Sequence, residues 1–124
     1  MVRVIVAGSR TFNNFSMLEH ELMMYFKENQ LHRSDVEIIS GTANGADKLG
    51  EKFAKKYGLK LTKFPANWDK NGKSAGYIRN EEMAKYACEE NGILMAFWDN
   101  VSNGTKNMIN LAKKYKLDVN IVSF

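Results

Sequence analysis

The segment from Ser40 to Asp47, SGTANGAD, combines residue types that could bind a phosphorylated ligand. Gly41 and Gly45 can adopt positive φ and let the backbone approach a ligand closely. A helix predicted to begin at Ala46 would offer free N–H groups and the positive end of its dipole, which favour phosphate. The spacing matches neither G-x-G-x-x-G nor G-x-x-x-x-G-K-[ST], the two standard phosphate motifs. By itself, the segment is equally compatible with a structural turn.

Two charged residues in and near this segment predict different ligand contacts. Asp47 falls in the first turn of the predicted helix, where a carboxylate suits the dipole but would repel a phosphate placed too close. Ribose hydroxyls are therefore its better partner. In GSRTF, Arg10 follows Gly8 and Ser9 directly after a predicted strand. A guanidinium in that position is well shaped for a phosphate or a carboxylate, although an exposed surface arginine is the alternative.

Two later segments contain groups of the same kinds. In AGYIRN, Arg79 and Asn80 are expected in the first turns of a helix, where they could reach a ligand. In SNGT, Gly104 and Thr105 are expected at another helix start. Thr105 could touch a ligand or act as an ordinary N-cap. Together these residues extend the predicted phosphate site to four segments of the chain.

The remaining side chains of chemical interest are two tryptophans, two histidines and one cysteine. Trp68 and Trp98 could stack on a base, although tryptophans more often pack in the core. His20 and His32 show no metal-ligand spacing with Cys88 or with carboxylates, so we expect no metal, no cofactor and no Ser/His/Asp triad. The lone cysteine cannot form an intrachain disulfide, and its helical context predicts a buried thiol.

Alternating strand and helix patterns must position these residues. Five short, mostly β-branched and aromatic runs, predicted to be strands buried on both faces, cover residues 2–8, 36–40, 59–64, 93–97 and 119–124. Four helices are predicted at 16–29, beginning with a Ser16/Glu19 capping box, at 46–57, at 75–90 and from 104 onward. Strict alternation predicts an α/β fold with one Rossmann-like domain over residues 1–124. Its five-stranded sheet would be mostly parallel, with helices on both faces.

The polar and glycine-rich segments all follow strands, at the carboxyl edge of this predicted sheet. They are residues 8–12, 40–47, 65–80 and 98–105, whereas the connections at the opposite edge are short or bland. Open α/β sheets bind ligands beyond the carboxyl ends of their strands, near the point where the strand order reverses. This asymmetry favours a ligand site over a purely structural domain.

Composition narrows the class of protein and its location. The chain has 124 residues, 44% hydrophobic and 26% charged, as is ordinary for one globular domain. The apolar run ILMAFW is far shorter than the roughly 20 residues that span a bilayer, and no secretory signal is apparent, so we expect a cytoplasmic protein. The net charge of +4 and the pI of about 9.2 tilt the chain toward anionic partners. Most lysines fall near predicted helix ends, so charge alone does not decide for nucleic acid.

The segments AGSRTF, SGTANGAD, PANWDKNGKSAGYIRNEEM and SNGTKNMI together resemble the YspA-like (YAcAr, cpYpsA-related) branch of the SLOG superfamily. The resemblance spans about residues 6–109. It implies a Rossmann-like fold and a site for nucleotides or nucleotide-derived ligands such as ADP-ribose or NAD products. The family occurs in bacteria and their phages, and a role as a sensor or processing module is the function it suggests.

Two kinds of SLOG relative suggest alternatives. LOG-type phosphoribohydrolases cleave the N-glycosidic bond of nucleoside monophosphates with a P-G-G-x-G-T-x-x-E segment and a helical arginine. Gly104 and Thr105 match the G-T and Arg79 could match the arginine, but the glutamate position holds Met108 and no P-G-G precedes it. Asp47, Asp69, Glu81, Glu82 or Asp99 could supply the carboxylate that a glycosidase needs.

The second relative is DprA, a DNA-processing protein that binds single strands on a related fold. Single-strand binding requires a basic groove with stacking aromatic rings. The segment 65–80 could supply both, with Lys70, Lys73, Arg79, Trp68 and Tyr77. Nucleic acid is therefore an alternative partner to a small nucleotide-derived molecule, and a homodimer is expected by analogy with SLOG relatives.

Overall fold

Five runs of mainly β-branched and apolar residues form strands, and the segments between them form helices, in a computed structural model that describes residues 1–124. The strands are β1 (Val2–Gly8), β2 (Val36–Ser40), β3 (Lys60–Lys63), β4 (Asn91–Trp98) and β5 (Asp118–Ser123). The helices are α1 (Phe15–Glu28), α2 (Ala46–Tyr57), α3 (Trp68–Asn71), α4 (Ala75–Cys88) and α5 (Asn103–Lys114), with 3₁₀ turns at Arg33–Asp35 and Gly72–Ser74.

The sheet is parallel throughout and has the strand order β3-β2-β1-β4-β5. The chain builds outward from β1 to β3, then crosses back to place β4 on the other side of β1. In the register of the sheet, Val2 pairs with Val36 on one side and with Asn91 on the other. The strand order therefore reverses between β1 and β4, and a crevice opens there at the carboxyl edge. The predicted Rossmann-like fold is confirmed, with every strand parallel.

Each face of the sheet is covered by two helices and has its own apolar core. Helices α1 and α2 pack on one face, where Leu22 and Phe53 are fully buried. Helices α4 and α5 pack on the other face, around Ile5, Leu94 and Met108. The three central strands are buried on both sides, but β3 and β5 are edge strands and remain partly exposed. The prediction that all five strands are buried on both faces was wrong for these two, because each has only one neighbouring strand. No helix has both the length and the apolar character required to cross a membrane.

The start of α1 differs from the predicted capping box. The N-cap is Asn14, whose Oδ1 accepts the Met17 N–H at 3.0 Å, so the helix begins before Ser16. The Glu19 carboxylate instead accepts a hydrogen bond from Lys56 Nζ at 2.6 Å. A tertiary contact between α1 and α2 has thus replaced the local bond that the sequence pattern predicted.

Cys88 is exposed at the last position of α4, not buried as its helical context predicted. The helix ends there, and its buried stripe stops one residue earlier, at Ala87. A second difference is α3, a single helical turn in a segment for which only a loop was predicted. It begins at Trp68, which it places beside the start of α4.

Candidate functional site

A cavity of about 370 Å³ opens at the carboxyl edge of the sheet, where the strand order reverses. Its size lies within the usual range for small-molecule sites. It is lined by the segments after β1, β2, β3 and β4 and by the first turns of α4 and α5. Among the residues predicted for the site, Gly8, Ser9, Arg10, Asp47, Trp68, Arg79, Asn80, Gly104 and Thr105 line it.

Four predicted site residues do not line the cavity. Ser40 is buried beneath it, where its hydroxyl donates to Glu51 Oε2 at 2.7 Å. Gly41 contributes its carbonyl to a hydrogen bond with Arg79. Gly45 packs against the backbone of Ser9 and Arg10. Trp98 is partly buried against the core, and its Nε1–H donates to a backbone carbonyl 3.1 Å away.

Gly45 joins two of the loops. It is the N-cap of α2 and has a φ of 82°, a conformation that glycine adopts more easily than residues with a side chain. A Cβ on Gly45 would lie 2.6 Å from the carbonyl oxygen of Arg10, and the next N–H, of Ala46, donates to Ser9 O at 3.4 Å. The other positive φ in this loop belongs to Thr42 (67°) and not to Gly41. The glycine is therefore needed so that the loops after β1 and β2 can touch.

Arg79 connects α4 to the loop after β2. Its Nε–H donates to Asn80 Oδ1 at 3.0 Å, and Nη1 donates to the Gly41 carbonyl. Burial lowers the pKa of Arg79, the neighbouring Asp47 carboxylate opposes this effect, and Arg10 adds to it. The guanidinium is held in one place by these bonds, and its Nη2 group has no protein acceptor. A fixed cation with a free donor can bind an anionic oxygen in the cavity.

Asp47 is a buried carboxylate at the cavity wall, with only 5% of its surface exposed. Its Oδ2 accepts the Ala43 N–H at 3.2 Å. Burial raises the pKa of Asp47 to about 6; the Ala43 N–H and Arg79 lower it, whereas Glu51 raises it further. A carboxyl group with this pKa can exchange a proton near neutral pH, which is a property of acid and base catalysts as well as of strained binding sites.

The loop after β4 is held together by Asp99. Its Oδ1 accepts the N–H groups of Val101 at 3.0 Å and of Ser102 at 2.8 Å. These bonds, together with one from the Ser102 hydroxyl, lower the pKa of Asp99 to about 2. Ser102 Oγ also lies 3.0 Å from Ser9 Oγ, which accepts the Asp99 N–H at 3.1 Å. The carboxylate of Asp99 is therefore engaged in fixing the loops after β1 and β4 relative to each other.

The start of α5 is fixed by a buried amide. Asn80 Nδ2 donates to Asn107 Oδ1 at 3.0 Å and to the Gly104 carbonyl at 3.3 Å. The N-cap of α5 is Ser102, so Thr105 is its third residue and is not the N-cap. The side chain of Ser102 makes no capping bond to the helix, because it contacts the loop instead. The first N–H groups of α5 are left without side-chain partners beside the cavity.

The cavity is also lined by Lys73, Tyr77 and Asp99, which were predicted only for the alternative functions. Residues for which no ligand contact was predicted complete the lining: Ala7, Thr11, Ala43, Gly76, Met83, Ser102 and Met108. Asp99 had a recognisable signal as a turn residue, since aspartate side chains commonly accept a hydrogen bond from the backbone N–H two residues on, as Asp99 does from Val101. The apolar residues Met83 and Met108 had none, because each follows the ordinary pattern of a core residue. Met108 lines the cavity at the position of the LOG glutamate, so α5 supplies no carboxylate there.

Comparison with known proteins gives two likenesses of different kinds. Gene 61 protein of Mycobacterium phage D29 is 29% identical over 128 residues, covering 96% of this chain and 94% of the phage protein. The X-ray structure of DNA processing protein A (DprA) from Streptococcus pneumoniae is similar with a TM-score of 0.52 and 17% identity. That alignment covers 98% of this chain but 58% of the DprA chain, and it shows a shared fold alone.

A family model, described as the YspA, cpYpsA-related SLOG family (YAcAr), matches residues 2–71. This match is more than half of the chain and includes the loops after β1 and β2, whose residues Arg10 and Asp47 line the cavity. The family predicted from the four loop segments is thereby confirmed. The chain belongs to the YspA, cpYpsA-related SLOG family.

Proposed function

We propose that the cavity binds a nucleotide or a nucleotide-derived ligand such as ADP-ribose or an NAD product, as a sensor or processing module. The observation that carries this proposal is the convergence of Arg10, Arg79 and Asp47, from three separate segments, on one cavity at the carboxyl edge. A sugar phosphate needs cations for its phosphate and an acceptor for its hydroxyl groups. The two arginines supply the first, and Asp47 supplies the second.

The phosphate would lie between Arg10 and the start of α5. Arg10 is exposed and belongs to no ion pair. Arg79 would add its free Nη2 group. The N–H groups at Gly104 and Thr105 lie in the first turn of α5, where the helix dipole favours an anion. A phosphate so placed gains charge-assisted hydrogen bonds from side chains and main chain together.

The ribose would lie against Asp47. Its Oδ2 is bonded to the Ala43 N–H, whereas Oδ1 accepts no protein hydrogen bond and can accept one from a ribose hydroxyl. Arg79 and Arg10 partly balance its charge. A neutral hydroxyl donor is favoured there over a second anion, so the cavity distinguishes the sugar end of a ligand from its phosphate end.

The test is calorimetric titration of AMP, ADP-ribose and NAD into the wild type and into Arg10→Ala and Arg79→Ala. Each variant should lose at least about tenfold in affinity for a phosphate-bearing ligand, the equivalent of one charge-assisted hydrogen bond. Arg33→Ala, which removes an exposed arginine outside the cavity, is the matched control and should bind like wild type. Unchanged affinity in both cavity variants would show that the phosphate assignment is wrong.

A short single-stranded oligonucleotide should be titrated in the same series, because the structural neighbour is a DNA processing protein. Nucleic-acid binding would show an affinity that falls steeply as salt is raised, because counterions are released from the strand. A mononucleotide has few such counterions, so its binding should depend little on salt. Preference for the oligonucleotide with a steep salt dependence would favour nucleic acid as the partner.

A second candidate function is hydrolysis of a nucleoside monophosphate at its N-glycosidic bond. Five carboxylates were candidates for the necessary acid or base, and only Asp47 and Asp99 line the cavity. Hydrogen bonds within its own loop occupy Asp99, and Asp69, Glu81 and Glu82 do not line the cavity. Asp47, with its pKa near 6, is therefore the carboxylate this function would use.

In that reaction, Asp47 would take a proton from a water molecule as the water oxygen bonds to C1′ of the ribose. The glycosidic bond would break with its electron pair passing to the base nitrogen, which then receives the proton. Release of free base from AMP by wild type, lost in Asp47→Asn while AMP still binds, would establish hydrolysis. Binding without any release would leave the protein a binding module.

A further inference from the structure

Two aromatic side chains stand at the opening of the cavity. Trp68 and Tyr77 both line it, yet 54% and 50% of their surfaces are exposed. Tryptophan is one of the residues most buried on average, so an indole left half in solvent beside a cavity is unusual. These two residues are called the aromatic rim below.

The aromatic rim lies close to the proposed phosphate contacts. The position that a Cβ would take on Gly76 is 3.8 Å from Trp68 Cη2 and 3.8 Å from Arg79 Nη2. The indole and the guanidinium therefore flank one small residue at the start of α4. A ligand held by Arg79 at its phosphate would bring its base out toward the indole.

The rim offers ring surface but no fixed pattern of hydrogen-bonding groups. Lys73 is its charged neighbour and is exposed, with no ion pair to hold it. The Tyr77 hydroxyl is likewise free of any protein hydrogen bond. By contrast, the polar groups deeper in the cavity, such as Asn80 and Ser102, are held by several bonds each. A base edge is read by donors and acceptors in fixed positions, and none is fixed at the rim.

We infer that the aromatic rim stacks on the nucleobase of the ligand, an inference that rests on the proposed function. The rim would accept every base and bind purines more tightly than pyrimidines. The cavity interior then selects for ribose phosphate, and the rim adds affinity without choosing between adenine and guanine. Stacking tolerates any base because each has a π face, and the larger purine ring covers more of the indole.

The test uses AMP, GMP, CMP, UMP and ribose 5-phosphate with wild type, Trp68→Ala, Trp68→Phe and Tyr77→Ala. Ile121→Ala, an exposed apolar residue on β5 outside the cavity, is the control. In wild type, AMP and GMP should bind within about threefold of each other, more tightly than CMP and UMP, and at least fivefold more tightly than ribose 5-phosphate. Trp68→Ala should remove most of the advantage of AMP over ribose 5-phosphate, without weakening ribose 5-phosphate itself.

A second readout is fluorescence in a Trp98→Phe background, in which Trp68 is the single tryptophan. AMP should quench this emission and ribose 5-phosphate should not. Trp68→Phe should keep part of the base-dependent affinity, which guards against a Trp68→Ala effect caused by misfolding of α3. Tyr77 lies on an exposed face of α4, so Tyr77→Ala should lower AMP affinity by a smaller factor than Trp68→Ala.

Three outcomes would overturn the inference. If ribose 5-phosphate bound as tightly as AMP, the rim would have no role although the proposed function stood. If one purine bound more than about thirtyfold better than the other, a base edge would be read and stacking alone would be excluded. If no monophosphate bound but an oligonucleotide did, and Trp68→Ala weakened it, the rim would serve nucleic acid and the proposed function would fail with it.

Discussion

Two buried carboxylates on the same chain meet opposite surroundings. Glu37, near the amino end of β2, is fully buried, and Asp47, in the first turn of α2, is 5% exposed. Burial favours the neutral form of both. The pKa of Glu37 nevertheless lies below its ordinary value, whereas that of Asp47 rises to about 6. The difference is in how many partners each carboxylate has.

Glu37 is surrounded by four donor residues from three elements, β1, β3 and α4. Its Oε2 accepts hydrogen bonds from Tyr86 at 2.5 Å and Thr62 at 2.7 Å, and its Oε1 lies 3.4 Å from Arg3 Nε and 3.5 Å from Lys60 Nζ. These partners outweigh burial and keep the group ionised. Oε2 accepts both hydrogen bonds, whereas Oε1 is paired by charge alone, as suits a group that stabilises the fold at the amino edge of the sheet.

Asp47 has one main-chain hydrogen bond and shares its neighbourhood with the like charge of Glu51. Arg79 and Arg10 face the cavity as well as the carboxylate. The carboxylate of Glu37 thus has two side-chain hydrogen bonds and two cations close to it, whereas Asp47 has a single main-chain hydrogen bond. Incomplete pairing of buried charge is typical of functional sites.

The largest loss of stability should follow from removing Glu37 from its buried cluster of partners. Glu37→Ala leaves Arg3 of the central strand β1 without its buried partner and should lower the free energy of unfolding by about 4 kcal/mol. Urea unfolding measures this loss. Glu89→Ala removes the exposed partner of the same arginine and should cost less than about 1 kcal/mol. Equal losses in the two variants would contradict the assigned roles.

Asp47→Asn should raise stability where Glu37→Ala lowers it. The folded state holds this carboxyl with a pKa of about 6 and the unfolded state with one of about 4, so the folded state binds the proton more tightly. Stability from this group is present at low pH and is lost as pH rises through about 6. Relative to wild type, Asp47→Asn should gain about 2 kcal/mol in unfolding free energy between pH 4 and pH 8. A pH-independent difference would refute this picture of an under-paired carboxylate.

Gly41→Ala would disturb the contact between the two charged groups. A Cβ there would lie 2.8 Å from both Arg79 Nη1 and Asp47 Oδ2, so the side chains must move apart. We expect a loss of about 1.5 kcal/mol in stability from this overpacking, and weaker binding of AMP. Gly104→Ala is the stability control: a Cβ there would meet no atom within 4 Å and alanine favours the helix, so no loss of stability is expected. If Gly41→Ala unfolded at the same urea concentration as wild type, the described contact of Arg79 with this loop would be contradicted.

Ser9→Ala should have the smallest effect of the four. It removes the acceptor of the Asp99 N–H and the contact with Ser102 Oγ, so a part-buried N–H is left without its partner. The expected cost is about 1 kcal/mol in the free energy of unfolding. Hydrogen exchange of the Asp99 amide gives a local measure of the same bond. No change in either quantity would show that the loops after β1 and β4 are held by other contacts.

Local patterns predicted most of the fold. The bounds of β1, β2 and α2 agree with the structure residue for residue, because apolar runs and a C-terminal glycine mark their ends. Topological reasoning placed the loops at one edge, where Arg10 and Arg79 share a cavity. Binding of a ligand, a homodimer and a cytoplasmic location remain predictions.

What local patterns could not show depends on contacts between distant segments. The partners of Glu37 come from residues 3, 60, 62 and 86, and nothing in the run VEIIS distinguishes a paired glutamate from an exposed one. The exposure of Trp68 depends on a four-residue helix that packs beside α4. The raised pKa of Asp47 likewise follows from burial by the neighbouring loops, which no spacing rule contains.

The central claim is that the carboxyl-edge cavity binds a nucleotide-derived ligand. The most direct measurement is thermal unfolding with and without AMP, ADP-ribose, NAD and cyclic nucleotides. A ligand present at about 100 times its dissociation constant adds about 2.7 kcal/mol, which for a domain of this size raises the Tm by about 10 °C. We expect such a rise with at least one of these ligands, and its loss in Arg10→Ala. An unchanged Tm with every nucleotide at millimolar concentration would contradict the claim.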